Sequence, residues 1–206
     1  MWAMRKREPL KLLTLAVLLA ACSCARAMTI EQSRATYNDK HYQYEIVALL
    51  DAPLDRVQTI LRDYEGYKQL DSRILEARVI DRPASYVAIL ETTLRVCMGP
   101  FCRNVKRVER VEESPLELSA TADASRSDVT FGETHMMLST SEGQTRVSYR
   151  TNIVPDFWVP AVVGRRWLLN TLADATTDLF RSVEARAKTA SVSSAGTKDS
   201  PTAETN

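Results

Sequence analysis

Histidine is nearly missing from this chain: His41 and His135 are the only two in 206 residues. There are four cysteines, and Cys22 and Cys24 both fall in the N-terminal segment. A zinc centre needs several nitrogen, sulfur or carboxylate ligands at short, recurrent spacings, so no metal is expected. A G-x-S-x-G elbow and a phosphate-cradling glycine loop are also missing, which removes the usual signatures of nucleophilic hydrolysis and nucleotide handling. No apolar run reaches the ~20 residues of a membrane-spanning helix. Nor is there a basic excess. Residues 1–27 hold five of the 27 basic and one of the 26 acidic side chains, leaving 22 against 25, a formal −3. Nucleic acid is therefore not an expected partner, and nothing calls for a cofactor.

What the N-terminus does contain is a complete export pattern. Arg5, Lys6, Arg7 and Lys11 precede an apolar run from Leu12 to Ala21, and small residues follow. That order reads as a secretory signal over residues 1–27. Two processing sites compete. Ala25-Arg26-Ala27 would release a soluble chain from Met28. Leu19-Ala20-Ala21-Cys22 is similar to a lipobox, which would leave Cys22 lipidated and the protein tethered to a membrane. In both cases the expected location is exported, periplasmic or membrane-tethered. Residues 28–40 read as an N-terminal extension, 41–188 as the folded domain and 189–206 as a disordered tail too poor in large apolar residues to offset ordering entropy.

Within the domain only Cys97 and Cys102 remain, flanking Met98-Gly99-Pro100-Phe101 between two strand-like runs. Opposed strand residues are close enough for a bridge, and an oxidising compartment favours one. A structural hairpin disulfide is expected. The C-x4-C spacing argues against a redox-active pair.

The body divides cleanly. An apolar run ends at Asp51-Ala52-Pro53. Pro53 suits the first turn of a helix bearing Val57, Ile60 and Leu61, with Asp51 placed to cap it. Six further stretches alternate in the period of half-buried strands: 74–81, 86–97, 101–112, 116–122, 129–138 and 145–154. Short turn signals such as Gly99-Pro100 and Glu142-Gly143 separate them, arguing hairpins rather than βαβ units. A helix from about Pro160 to Ala187 then places Leu168, Leu172, Ala175, Leu179 and Val183 on one stripe. Leu169, Ala173, Thr176 and Phe180 lie beside it, a face broad enough to lie across a sheet. The class is α+β.

The segment Ile46–Leu70, with its Ala-Pro-x-x-x-Val helix start and Asp63-Tyr64-Glu65-Gly66-Tyr67 element, resembles the opening of the START-type helix-grip superfamily. Polyketide cyclase-like and coenzyme Q-binding START proteins belong to that group. The resemblance extends over roughly residues 40–187. It implies a curved antiparallel sheet of about six to seven strands around a long C-terminal helix, two short helices after the first strand, and an apolar cavity. Leu70-Asp71 stands where quinone-binding relatives often have Leu-Pro, so the resemblance does not name a quinone.

Such a cavity implies a hydrophobic ligand, a lipid or isoprenoid, as the partner. Candidate lining residues are Phe131, Met137, Tyr149, Trp167, Leu168 and Leu172, each of which could equally serve as plain core. Phe157 and Trp158, pinned between Pro155 and Pro160, either form the lip of an entrance or pack under the helix terminus. The alternative is a cyclase-, aromatase- or dehydratase-like enzyme in which Glu133 and His135 move a proton. That reading requires both to face the cavity. A ligand-free structural or chaperone-like module is a third alternative. Arg103, Lys106, Arg107 and Arg110, with Glu109, Glu112 and Glu113 nearby, read as a solvent-face ladder of ion pairs. Their alternative reading is a membrane-surface or head-group site.

Overall fold

The computed structural model describes residues 27–161 and 163–195; nearly all of the segment expected to be a secretory signal, up to residue 26, and the chain beyond Ala195 lie outside the described residues. Eight antiparallel strands form one sheet: β1 (Thr29–Asn38), β2 (His41–Leu50), β3 (Ile74–Ala84), β4 (Val87–Met98), β5 (Phe101–Glu113), β6 (Glu117–Ala122), β7 (Val129–Ser141) and β8 (Gln144–Pro155). Their order across the sheet is β1-β2-β8-β7-β6-β5-β4-β3. Strands β3 to β8 are thus a meander, and β8 returns to pair with β2. The β2–β3 link carries helix α1 (Leu54–Arg62) and a 3-10 helix (Tyr64–Gln69), and the long helix α2 (Val163–Ala195) ends the described chain.

One strand more is present than the sequence suggests. Thr29–Asn38, read as an extension, is β1. Its side chains are mostly exposed, so no apolar alternation marks it. The turn that joins it to β2 uses Asp39 and Lys40, both at positive φ (45° and 67°). That is the backbone of a two-residue hairpin normally written with Asn-Gly or Asp-Gly. Glu142 and Gly143, at φ 50° and 82°, make the same kind of turn with the expected glycine.

Asp51 does not cap α1. The N-cap is Pro53, without a side-chain cap bond, and Asp51 instead pairs with Lys188 of α2 at 3.0 Å. Glu184, almost fully buried, accepts the Asp51 N–H at 3.1 Å. This ties the end of β2 to the far end of α2. Helix α2 also continues to Ala195, past the expected end near Ala187; no proline or glycine interrupts the chain before Gly196.

The two tyrosines of the Asp63–Tyr67 element are scaffolding. The Tyr64 hydroxyl donates to Glu113 at 2.9 Å, and the Tyr67 hydroxyl to the Leu61 carbonyl at 2.6 Å. Asp63 accepts the Gly66 N–H at 3.2 Å, and a Cβ on Gly66 would lie 2.1 Å from Asp63 Oδ2. Glycine at 66 therefore leaves room for the cap.

The core is filled at one end. Phe180, Val183 and Ala187 of α2 are fully buried against Val57 and Leu61 of α1 and Tyr44, Ile46, Ala48 and Leu50 of β2. The N-terminal half of the same helix packs in a smaller cluster, Leu168 with Tyr42 and Ile153, beside which a gap remains.

Candidate ligand-binding cavity

Along α2, residues Leu168, Thr171, Leu172, Ala175, Thr176 and Leu179 fall at helical spacing and face the sheet across a gap. Opposite them stand Ile74 of β3, Leu94 and Val96 of β4, Val105 of β5, Val129 of β7, and Tyr149 and Ile153 of β8. The cavity, open at one side, is about 210 Å³. One helix thus closes a solid core with its C-terminal half and roofs a hollow with its N-terminal half.

The mouth lies at the end where β4 turns into β5. Cys97 and Cys102 face each other across that hairpin and are joined in a disulfide, with Cα atoms 4.0 Å apart. Trp167 of α2 donates its indole N–H to the Cys97 carbonyl at 3.2 Å. Phe157 borders both the cavity and a second apolar recess formed by Val96, Met98, Phe101, Trp158, Val159 and Trp167. Arg103 stacks its guanidinium on the Phe157 ring, 4.4 Å from the centroid. Phe101 and Trp158 stand out at the rim, 75% and 82% exposed. Phe157 thus lines both hollows, and Trp158 stands exposed beside the second.

On the other flank, Asp71 accepts the Arg73 N–H at 2.8 Å and its Nε at 2.9 Å, and Arg73 reaches Asp178 of α2 at 3.0 Å. The Leu70-Asp71 pair therefore anchors a strap from the 3-10 helix to the roof.

Tyr149, Phe157, Leu168 and Leu172 line the cavity, and Trp158 and Trp167 line the adjoining recess. Phe131 and Met137 do not line it. On β7 the inward residues are Gly132, Thr134, Met136 and Leu138, so Phe131, Glu133, His135 and Met137 share the outer face. Met137 is 61% exposed, and Phe131 packs edge-on against His41, centroids 5.2 Å apart. The four residues do share one face, but alternation alone cannot say which face is inside. Glu133 and His135 sit in a separate, polar recess on the outer face with Gln43, Glu45, Arg150 and Asn152. Neither reaches the cavity, so the proton-transfer role expected of that pair is not supported.

Sequence reasoning missed the polar centre. Arg107 was grouped with the solvent-face cations, yet it lines the cavity. Val105, Arg107, Glu109 and Val111 have the same parity on β5 and point inward, while Lys106 and Arg110 point out. Arg107 Nη2 bonds the buried Glu109 carboxylate. Its Nε is buried with no hydrogen-bond partner. Tyr149 stands nearby, its pKa raised chiefly by burial and partly offset by the Arg107 charge and by the Thr151 and Thr134 hydroxyls. Two charges at the apolar parity of one strand were the available signal.

No protein-family model and no curated protein matches the sequence. Solved structures do match the fold. An aromatase/cyclase from Streptomyces sp. R1128 superimposes with a TM-score of 0.63 at 14% identity, over 76% of this chain and 98% of that one. A START superfamily protein from Mycobacterium smegmatis gives 0.55 at 15%, over 71% and 97%. The fold is the START-type helix grip. A human lipid transfer and protein localization domain shares it at 0.51 and 11%, over 89% of this chain and 98% of that domain. In helix-grip terms, the sheet is the palm, α2 the gripped rod, and the hollow between them the pocket just described.

Proposed function

We propose that this protein binds a hydrophobic small molecule, of lipid or isoprenoid character, in the hollow between the sheet and α2. The carrying observation is the change in one helix face from solid packing at Phe180–Ala187 to a 210 Å³ apolar gap at Leu168–Leu179. Sites for small ligands are concave and mostly apolar, with a few placed polar groups, and Arg107 and Tyr149 are such groups here. The human neighbour, a lipid transfer domain, agrees with this reading; the Streptomyces neighbour is an aromatase/cyclase.

Export fits the same reading. A hairpin disulfide persists where thiols are kept oxidised, and residues 1–27 carry the signal pattern. The exposed Phe101 and Trp158, with Arg103 between them and the Phe157 lip, would let the mouth rest on an anionic membrane while a ligand passes. Lipidation at Cys22 would tether the domain near such a surface.

The test is direct. The full chain is exported from an expression host, purified and extracted with organic solvent, and the extract is analysed by mass spectrometry. A recurrent, near-stoichiometric apolar compound is expected. An empty extract, together with a crystal structure whose hollow is filled by the protein's own side chains, would overturn the proposal.

A further inference from the structure

We propose that the ligand of this cavity is an amphipathic organic acid whose carboxylate pairs with Arg107, a refinement that rests on the binding reading above. Three observations converge on it. First, Arg107 is a cation in the wall of a mostly apolar hollow, and its Nε is covered and without a hydrogen-bond partner. The Arg107 side chain keeps 18% of its surface accessible, so part of it remains open to a ligand beside the covered Nε. Guanidinium and carboxylate fit edge to edge through two parallel hydrogen bonds, which a single hydroxyl cannot match.

Second, the hollow offers an anion a second cation, Arg95. Its lining carries Arg73, Arg95 and Arg107 against Asp71. Glu109 behind Arg107 and Asp178 beside Arg73 bring the count to three of each sign, and Arg95 is the cation with no acidic partner among the described residues. Glu109 holds Nη2 of Arg107 and so restrains the guanidinium from one side.

Third, the backbone makes room for this arrangement. Gly132 of β7 faces inward, and a Cβ there would lie 2.8 Å from the Ala122 Cβ and 4.0 Å from Arg107 Nη2. The strand thus passes close behind the guanidinium without a side chain. The hollow, at about 210 Å³, is smaller than the roughly 300–1,000 Å³ of sites for drug-sized molecules. The apolar body is therefore compact.

The experiment compares octanoate with octanamide by isothermal titration calorimetry on the delipidated full chain. The two share an apolar tail and a carbonyl and differ in charge. Octanoate is expected to bind at least roughly tenfold more tightly, the factor that corresponds to about 1.4 kcal/mol. In R107M/E109Q, which removes both members of the buried pair and leaves no lone charge, octanamide binding persists and the preference falls below roughly threefold. In R107K, part of the preference returns through a point charge. Equal affinity for both probes, or a preference that survives R107M/E109Q, overturns the acid assignment while leaving the cavity reading intact. Binding of neither probe overturns both.

Discussion

The indole N–H of Trp167 is hydrogen-bonded to the carbonyl oxygen of Cys97 at 3.2 Å, joining the roof helix to the hairpin at the cavity mouth. The disulfide at that residue therefore organises an entrance rather than the core. Replacing both cysteines by serine should cost up to about 2 kcal/mol, as expected for a bridge that closes a very short loop. Ligand exchange at the mouth should speed up more than stability falls. Urea titration and stopped-flow release of bound ligand measure the two effects. Unchanged release rates would remove the hairpin from the entrance.

The contrast between the two halves of α2 can be tested by truncation. Phe180→Ala empties a fully buried ring position and should cost about 3–5 kcal/mol. Leu172→Ala, at the wall of a hollow that already exists, should cost ~2 kcal/mol or less, the bottom of the range for such changes. Comparable losses at the two sites would mean that the hollow is packed in solution.

Filling the hollow should separate binding from folding. Ala175 lines the cavity, and Ala175→Phe places a ring into it. Affinity for the extracted ligand should drop at least about tenfold, or 1.4 kcal/mol, with the melting temperature held or raised. Undiminished affinity would locate the ligand elsewhere.

Gly132→Ala should be destabilising by about 1–3 kcal/mol through overpacking. The new methyl meets the Ala122 Cβ, which is fixed to the β6 backbone and cannot swing aside. A neutral outcome in thermal unfolding would show that β6 and β7 separate more easily than their pairing suggests.

Alkali should unfold the protein from the tyrosine side. Tyr64 is pushed well above the usual phenol range, first by burial and then by its hydrogen bond to Glu113, and Tyr67 is raised chiefly by burial. Folded values above the unfolded one mean that the native state keeps protons the unfolded chain releases. Their stabilisation is whole below pH ~10 and declines as pH rises beyond it. Tyr64→Phe and Tyr67→Phe should each flatten that decline in denaturant titrations between neutral and strongly alkaline pH.

Most of the architecture was legible because its signals are local. Alternation over the strands from β3 to β8, glycine and proline turns between them, and a proline-free apolar helix are all short-range patterns. The edge strand β1 was not legible. An exposed strand has no reason to alternate, and the positive φ of Asp39 and Lys40 is not written in glycine. The site was half legible. Leu168, Leu172 and Tyr149 follow from faces read correctly. On β7 the pattern gave two faces, and the pairing with β6 and β8 decides which one is inside, so Phe131 and Met137 came out reversed. Arg107 was hidden by its neighbours: where seven of the eleven residues from Arg103 to Glu113 are charged, an inward arginine looks like one more solvated cation.

Among the described residues the sheet does not close on itself, so β1 and β3 each have one flank of backbone N–H and C=O groups with no strand partner there. Such flanks invite strand-to-strand association between copies. Both are spoiled. β1 is polar almost throughout and slips register between Ile30 and Gln32. β3 slips three times and carries Pro83, which has no N–H to offer. A chain built this way can hold an open, greasy hollow at high concentration and still resist fibril growth from its own edges.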